Sequence, residues 1–396
     1  MTLVESLVLV LTAGWDLLTT LLELWWVWIP IFLVYVFINL WEYYVVETYI
    51  MNNWEWVTLE VALQPEVEKS QRAMEQVITS LYGAFSSPDL WEHWWQGEVP
   101  ERFSLEIISR GGDIHFIIRT LRSNLNLVKS SIYSQFPDVE LFEIEDYSRE
   151  YTHENLERTY DMWGADFTLR KHDAYPIRTY PEFSEKEAPG VEVDPLGQIT
   201  EGMATLAPGE EIWIQIPIRP AGGTWAKEGQ EEVTGILSST EQTDDESSVP
   251  TVQRLTPGQT EQLRGIEGKI AKAGFTCKLR FMYLAEADKM NKSQMSSVLG
   301  GLEQFGDNTL NGFKPHAETK TSVNRWRNQA ALRRFRKHQM LDLYQLRKIN
   351  GKSFHLNPEE LATVFHFPGE YVTTTTLNRI QSKRSSPPSG LPSLEE

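Results

Sequence analysis

The chain has 396 residues, 37 Lys and Arg against 55 Asp and Glu, a net charge of −18 and a pI near 5.0. That balance excludes a generally nucleic-acid-coating surface, while the length leaves room for an anchor and two ordinary domains. A single cysteine, Cys277, excludes an intrachain disulfide and suits a reducing compartment.

Residues 1–23 are apolar but lack the basic start of a signal peptide, and Glu5 and Asp16 make a full span costly. They read as an interfacial or lumenal lead-in helix. Residues 24–46 read as a transmembrane helix. Leu24 to Trp41 runs eighteen residues without a charge, roughly 27 Å of helix, enough for a hydrocarbon core. Trp25, Trp26, Trp28, Trp41, Tyr43 and Tyr44 crowd its ends, where amphipathic rings favour the headgroup level. Pro30 is tolerated in such a helix. No Lys or Arg precedes Lys69, which favours a cytoplasmic C-terminal bulk. The expected location is the cell's inner membrane, crossed once, with membrane lipid as the first partner.

Residues 54–150 alternate as strands and helices in the order βαββαβ. Val57, Leu59 and Val61 mark a strand, and Pro65 opens a helix whose apolar face runs from Val67 to Phe85. Ser87-Pro88 to Gly97 predicts a short helix carrying Trp91, Trp94 and Trp95, more suited to packing or facing a membrane than to binding a ligand. Gly111-Gly112 supplies the positive φ of a hairpin between two strands. A helix from Leu125 to Phe136 and a strand from Val139 to Glu145 complete a ferredoxin-like plan.

A second α+β module is expected over residues 160–316, a variant of the first with a strand missing or displaced. Pro176 breaks one or two strands between Asp166 and Tyr180, and Asp194-Pro195 starts a helix. Glu211 to Arg219 alternates isoleucines, with Pro217 suggesting an edge or the end of pairing. Residues 220–255 are polar and acidic and read as a mobile insertion. Thr256-Pro257-Gly258-Gln259 is a capping box, followed by strand residues Cys277, Leu279, Phe281 and Tyr283. The fold class is thus α+β: one transmembrane helix, two ferredoxin-like modules and a basic, partly helical tail.

That tail, residues 317–350, holds nine basic residues between Lys320 and Lys348 against Asp342 alone. Arg325, Arg327, Arg333, Arg334, Arg336 and Lys337 are the candidate contacts to anionic lipid or nucleic acid; the alternative is a solvated helical face. Residues 351–380 predict a short helix capped by Asn357-Pro358-Glu359-Glu360, and a strand; residues 381–396 are a Pro/Ser-rich end.

No phosphate-binding loop or nucleophile elbow occurs, Cys277 reads as a small buried hydrophobe, and His355, Glu359 and His366 make a poor metal set. No catalytic residue, cofactor or metal is expected.

Several stretches together resemble a known family: PDVELFEIEDY (137–147), GEEIWIQIPIRP (209–220), IAKAGFTCKLRFMYLA (270–285), LNGFKP (310–315), NPEELATVFHFP (357–368) and RIQSKRSSPPSGLP (379–392). The chain is similar over residues 54–392 to a bacterial membrane-anchored domain of unknown function. In that family the domain precedes or accompanies TraG-like DNA-translocating ATPases of conjugation and type IV secretion. In ATPase-bearing relatives the Ser/Pro-rich segment leads into the motor, whereas this chain ends at Glu396, so ATP hydrolysis is not carried over. The resemblance implies a non-catalytic membrane anchor or assembly platform, working with a separate P-loop ATPase and by analogy as a homo-oligomer. The alternative is a membrane-tethered nucleic-acid-binding protein using residues 320–348.

Overall fold

In the computed structural model, helix α1 (Trp25–Asn53) continues two turns past the expected end of the span. The structure describes residues 15, 19, 23–63, 71–185, 194–241, 255–322, 329–349 and 351–368. The lead-in helix, the C-terminal strand and the Pro/Ser-rich end lie largely or wholly outside these residues. Met1–Trp54 with Ser87–Val99 forms one compact unit, and Glu55–Ser86 with Pro100–Glu396 another. In the first, a single π-helical turn, Glu92–Gln96, stops at Gly97, whose φ of 74° suits a glycine.

The second unit is mixed α/β and built on one ten-stranded antiparallel sheet. Its first half contains β1 (Trp56–Ala62), α2 (Gln71–Leu81), β2 (Phe103–Arg110), β3 (Asp113–Leu121), α3 (Leu125–Gln135) and β4 (Glu140–Ile144). Gly111 and Gly112, at φ 57° and 97°, turn the β2–β3 hairpin as their sequence predicts. Phe85 is not on the α2 face: the helix stops at Leu81, and Phe85 stacks on Tyr82 at 5.5 Å.

The second half contains α4 (His153–Arg158), β5 (Tyr160–Leu169), α5 (Tyr180–Glu185), α6 (Gly197–Ala204) and β6 (Glu210–Pro220). It continues through α7 (Thr224–Glu241), α8 (Pro257–Ile270), β7 (Phe275–Cys277), β8 (Leu279–Glu286), α9 (Lys292–Glu303) and β9 (Phe313–Pro315). Last come α10 (Gln329–Gln345), β10 (Phe354–Leu356) and α11 (Pro358–Val364). The strand order is β4-β1-β3-β2-β6-β8-β5-β9, with β7 and β10 beside β6. Read inward from each edge, and with β7 and β10 left aside, both halves run fourth, first, third, second.

Three further expectations change. The chain after β5 is irregular to Thr179 and then helical, so Pro176 does not break a strand. The polar stretch read as a mobile insertion forms α7 over residues 224–241. Trp225 and Val233 are buried, and Val233 packs with Ala174, Leu263 and Ile266 beside α8. Residues 242–254 fall outside the described set.

β6 is central rather than an edge strand, lying between β2 and β8. Lys278 N donates to Pro217 O at 3.1 Å, but Pro217 has no N–H to return. That missing donor falls where β7 and β8 separate, so Pro217 interrupts the ladder on one side only, and pairing resumes at Ile218↔Cys277. Toward β2 the register runs unbroken from Phe103↔Ile218 to Arg110↔Glu211.

One sheet face buries the main core, including Leu59, Ile78, Phe116, Ile132, Ile214 and Phe281. Phe365 and Phe367, after α11, pack edge-on against Phe116, while β10 pairs with β7. The C-terminal segment therefore binds both halves. The opposite face buries Trp213, Met282, Met340, Leu341 and Tyr344 beneath α10.

Candidate functional site: an apolar helix, a basic helix and a buried ion network

Along the uncharged run of α1 the side chains are apolar on every face, and most are exposed, from Trp25 (61%) to Leu40 (62%). Trp26, Trp28 and Tyr43 are exposed as well, whereas Trp41 is half-buried. The amide of Asn39, a polar group inside the uncharged run, donates back to Tyr35 O at 2.7 Å. Such internal satisfaction is what a helix needs where no water is available. By length and composition α1 is able to cross a membrane.

The basic helix α10 is less cationic than its sequence implies. Arg334 pairs with Glu157, and Lys337 with Asp161. Arg336 turns to main chain, donating to Lys320 O at 2.7 Å. Arg333 reaches Gln329 at 3.4 Å. A cavity of about 500 Å³ is lined by Tyr160, Asp161, Arg333, Arg334 and Lys337, among others. Arg325 and Arg327 lie outside the described residues. Beside the cavity, His153 and His338 stack at 4.4 Å, and His153 contacts Asp342 at 2.8 Å.

Beneath the end of α10 lies a buried polar row that sequence reading missed. Glu106, Gln215, Arg280 and Asp166 face one another directly across β2, β6, β8 and β5. Gln215 donates to Glu106 at 3.0 Å and accepts from Arg280 at 2.7 Å; Arg280 also donates to Asp166 at 2.8 Å. Arg280 further reaches Leu343 O and Lys348 O, and Gln215 reaches Tyr344 O. These donors bond carbonyls at and just past the end of α10, adding to the backbone N–H that Leu343 O and Tyr344 O already accept. Just beyond, Arg347 adopts φ 50° and places its guanidinium 3.0 Å from Glu106 and 2.8 Å from Asp146. Arg119 pairs with the same Asp146, and Lys278 lies 3.0 Å from Asp166.

Burial alone would raise the pKa of these carboxylates, but the adjacent cations win. Arg347 holds Glu106 below its ordinary value, and Arg347 with Arg119 holds Asp146 well below. Arg280 and Lys278 do the same for Asp166. Tyr147 and Tyr344 bond one another at 2.6 Å, and burial with the nearby Glu106 charge pushes both far up. Charges are fixed here rather than poised for proton transfer at neutral pH. The arrangement clamps the α10 end to the sheet.

The sequence signal was present: on the face carrying Ile108, Trp213 and Met282, each of four strands also places a polar residue. Period-two alternation assigns that face to solvent and hides the row.

Cys277 is fully buried, and burial pushes its thiol well up. His355, Glu359 and His366 do not converge: they bond Asp173, Lys272 and Asp194 respectively. Among the described residues no group of three His, Cys, Asp or Glu could hold a metal ion.

Fold and site thus define a mixed α/β protein with, among the described residues, one helix able to span a membrane and a sheet closed by a buried ionic clamp. Residues 58–379 match the family described as Domain of unknown function (DUF8128), and the chain belongs to that family. No curated protein matches the chain.

Proposed function

We propose that this protein is a non-catalytic, single-pass membrane anchor and assembly platform for a DNA-translocating ATPase of the type IV secretion or conjugation class. Its bulk lies on the cytoplasmic side of the inner membrane. The observation that carries the reading is the uncharged run of α1, apolar on every side with its Asn39 amide satisfied within the helix. The buried ionic row supports a structural role, because its carboxylates spend their charge on holding α10. The motor is a separate P-loop chain, and the platform is a homo-oligomer that matches it. Each half of the sheet we read as ferredoxin-like, since all neighbours are antiparallel and, with β7 and β10 left aside, both halves share the order fourth, first, third, second.

Nucleic-acid binding through α10 is the weaker reading. Arg334 and Lys337 already neutralise Glu157 and Asp161, leaving fewer cations to displace phosphate counterions.

The test is affinity purification of the detergent-solubilised full-length protein with mass spectrometry. A P-loop translocase that co-purifies, and is lost when residues 55–396 are deleted, is the expected result. Recovery of the protein alone, or with nucleic acid that leaves as salt rises, would overturn the platform reading. Deleting residues 1–47 should release the remainder from membranes; full retention would remove the anchor.

A further inference from the structure

In the smaller unit, the segment 87–99 folds onto α1 where the uncharged run ends. Trp41 Nε1 donates to Trp94 O at 3.0 Å, and the Trp41 and Trp95 rings meet edge-on at 5.9 Å. One turn on, Gly97 lies so close to Val45 that a Cβ would fall 2.3 Å from the Val45 carbonyl oxygen. His93 approaches Glu42 at 3.4 Å. The segment is thus fixed to α1 at the level of Trp41 to Val45.

Its outward side is unusually apolar for a surface. Leu90 is 80% exposed, Trp91 63% and Trp95 59%, with Trp91 and Trp95 packed together at 5.4 Å. Tyr43 and Tyr44 add two exposed rings at the same level of α1. Asp89 and Glu92 turn inward on each other's backbone, each side chain accepting the other's N–H. No Lys or Arg occurs anywhere in residues 1–54 or 87–99.

These facts fix both the depth and the chemistry of what covers this surface. If Leu24 to Trp41 crosses the hydrocarbon, Trp41 lies at its edge, and so does anything bonded to Trp41. Indole and phenol rings are stable there, with the ring in the acyl boundary and the polar edge among headgroups. A surface without cations gains nothing from anionic lipid, so binding comes from apolar burial and not from charge.

We propose that Leu90, Trp91 and Trp95 form a second membrane contact, a wedge seated at the headgroup–acyl boundary of a zwitterionic phospholipid bilayer. It holds α1 at a fixed depth at its Trp41 end. The proposal rests on α1 spanning the membrane, and the test separates the two claims.

The full-length protein is reconstituted in phosphatidylcholine vesicles. Cys277 is buried, so a polarity-sensitive thiol dye reports introduced cysteines: Leu90→Cys and Trp91→Cys on the wedge, Leu33→Cys in mid-helix. Quenching is read with lipids that carry a nitroxide either near the headgroup or at the acyl-chain end. The expected result is that both wedge positions lose most of their fluorescence to the headgroup nitroxide, and Leu33→Cys to the chain-end nitroxide. High salt should leave this unchanged, and so should adding phosphatidylserine. Quenching at Leu33→Cys without quenching at either wedge position would overturn the wedge and leave the span intact. No quenching at any of the three would overturn both. Wedge quenching that requires phosphatidylserine or disappears in high salt would overturn the zwitterionic assignment.

Discussion

Arg347 and Glu106, 241 residues apart in sequence, face each other at 3.0 Å with almost no solvent contact on either side chain. The guanidinium also bridges to Asp146, so one residue in a left-handed turn holds β2, the loop after β4 and the end of α10. Removing one member of such a pair leaves the other charged and buried. The variant Arg347→Leu is therefore expected to lose about 3–5 kcal/mol of stability. Urea unfolding of the detergent-solubilised protein measures this, and a loss below about 1 kcal/mol, the ceiling for exposed pairs, would refute the clamp. Arg347→Lys should recover little, because an ammonium cannot supply the planar fork that reaches both carboxylates.

The same network sets a direction for acid sensitivity. Glu106, Asp146 and Asp166 all have folded pKa values below their ordinary 4.5 or 3.8. The folded state therefore binds fewer protons than the unfolded state as pH falls past those values. Their contribution is full above the ordinary values and is lost as pH drops below them toward the depressed ones. Glu360 works the other way: burial raises its pKa despite Lys269 at 3.2 Å, so its share of stability declines as pH rises through the folded value. The three lowered groups outnumber it, so the unfolding midpoint should fall on acidification from pH 5 to pH 3. In Arg347→Leu that slope should flatten. An unchanged slope would show that Arg347 does not govern these carboxylates.

How far the fold was legible depends on which residues carried a local signal. Gly111-Gly112, the isoleucines of β6 and the Thr256 and Asn357 capping boxes each act within a few residues, and each appears where its pattern predicts. α7 was hidden because its buried residues, Trp225 and Val233, are few and set among Glu, Lys and Gly. Its stability comes from α8 and Ala174, which composition over a short window does not register. Pro217 marks neither an edge nor the end of pairing, since one missing donor interrupts the ladder on one side of a strand and leaves the other side intact. The buried row was invisible for a different reason. Glu106 and Arg347 become partners only through the fold, and alternation alone places Glu106 in water.

The two capping boxes offer a comparison in which the hydrogen-bond pattern is shared and burial differs. Asn357 is 4% exposed, its side chain accepts from Glu360 N at 2.9 Å, and the Glu360 carboxylate accepts from Asn357 N at 2.9 Å. Thr256 makes the same exchange with Gln259 at an exposed helix start. Thr256→Ala should cost about 1 kcal/mol, the usual worth of an N-cap. Asn357→Ala should cost about 2–3 kcal/mol, because the buried N–H it strands has no access to water. Thermal unfolding of the two variants side by side is the measurement. Equal losses would mean that water reaches the start of α11.

Gly97 gives the sharpest local test in the smaller unit. Its φ of 74° is strained for any residue with a Cβ, and that Cβ would also meet the Val45 carbonyl at 2.3 Å. A rigid backbone atom cannot step aside, so Gly97→Ala should free segment 87–99 from α1 at a cost of about 1–3 kcal/mol. Glu92 and Glu98 flank the contact, so a glutamate-specific protease reports its opening. When opening is fast relative to cleavage, the rate follows the open population, and the variant should be cut roughly 5- to 160-fold faster. Gly235→Ala is the control: it lies inside α7 with nothing within 4 Å of its Cβ position. That change should leave cleavage near residues 92–98 as in the parent and raise stability by about 0.4–1 kcal/mol. Equal protection in Gly97→Ala and the parent would mean that the close approach to Val45 does not hold the segment.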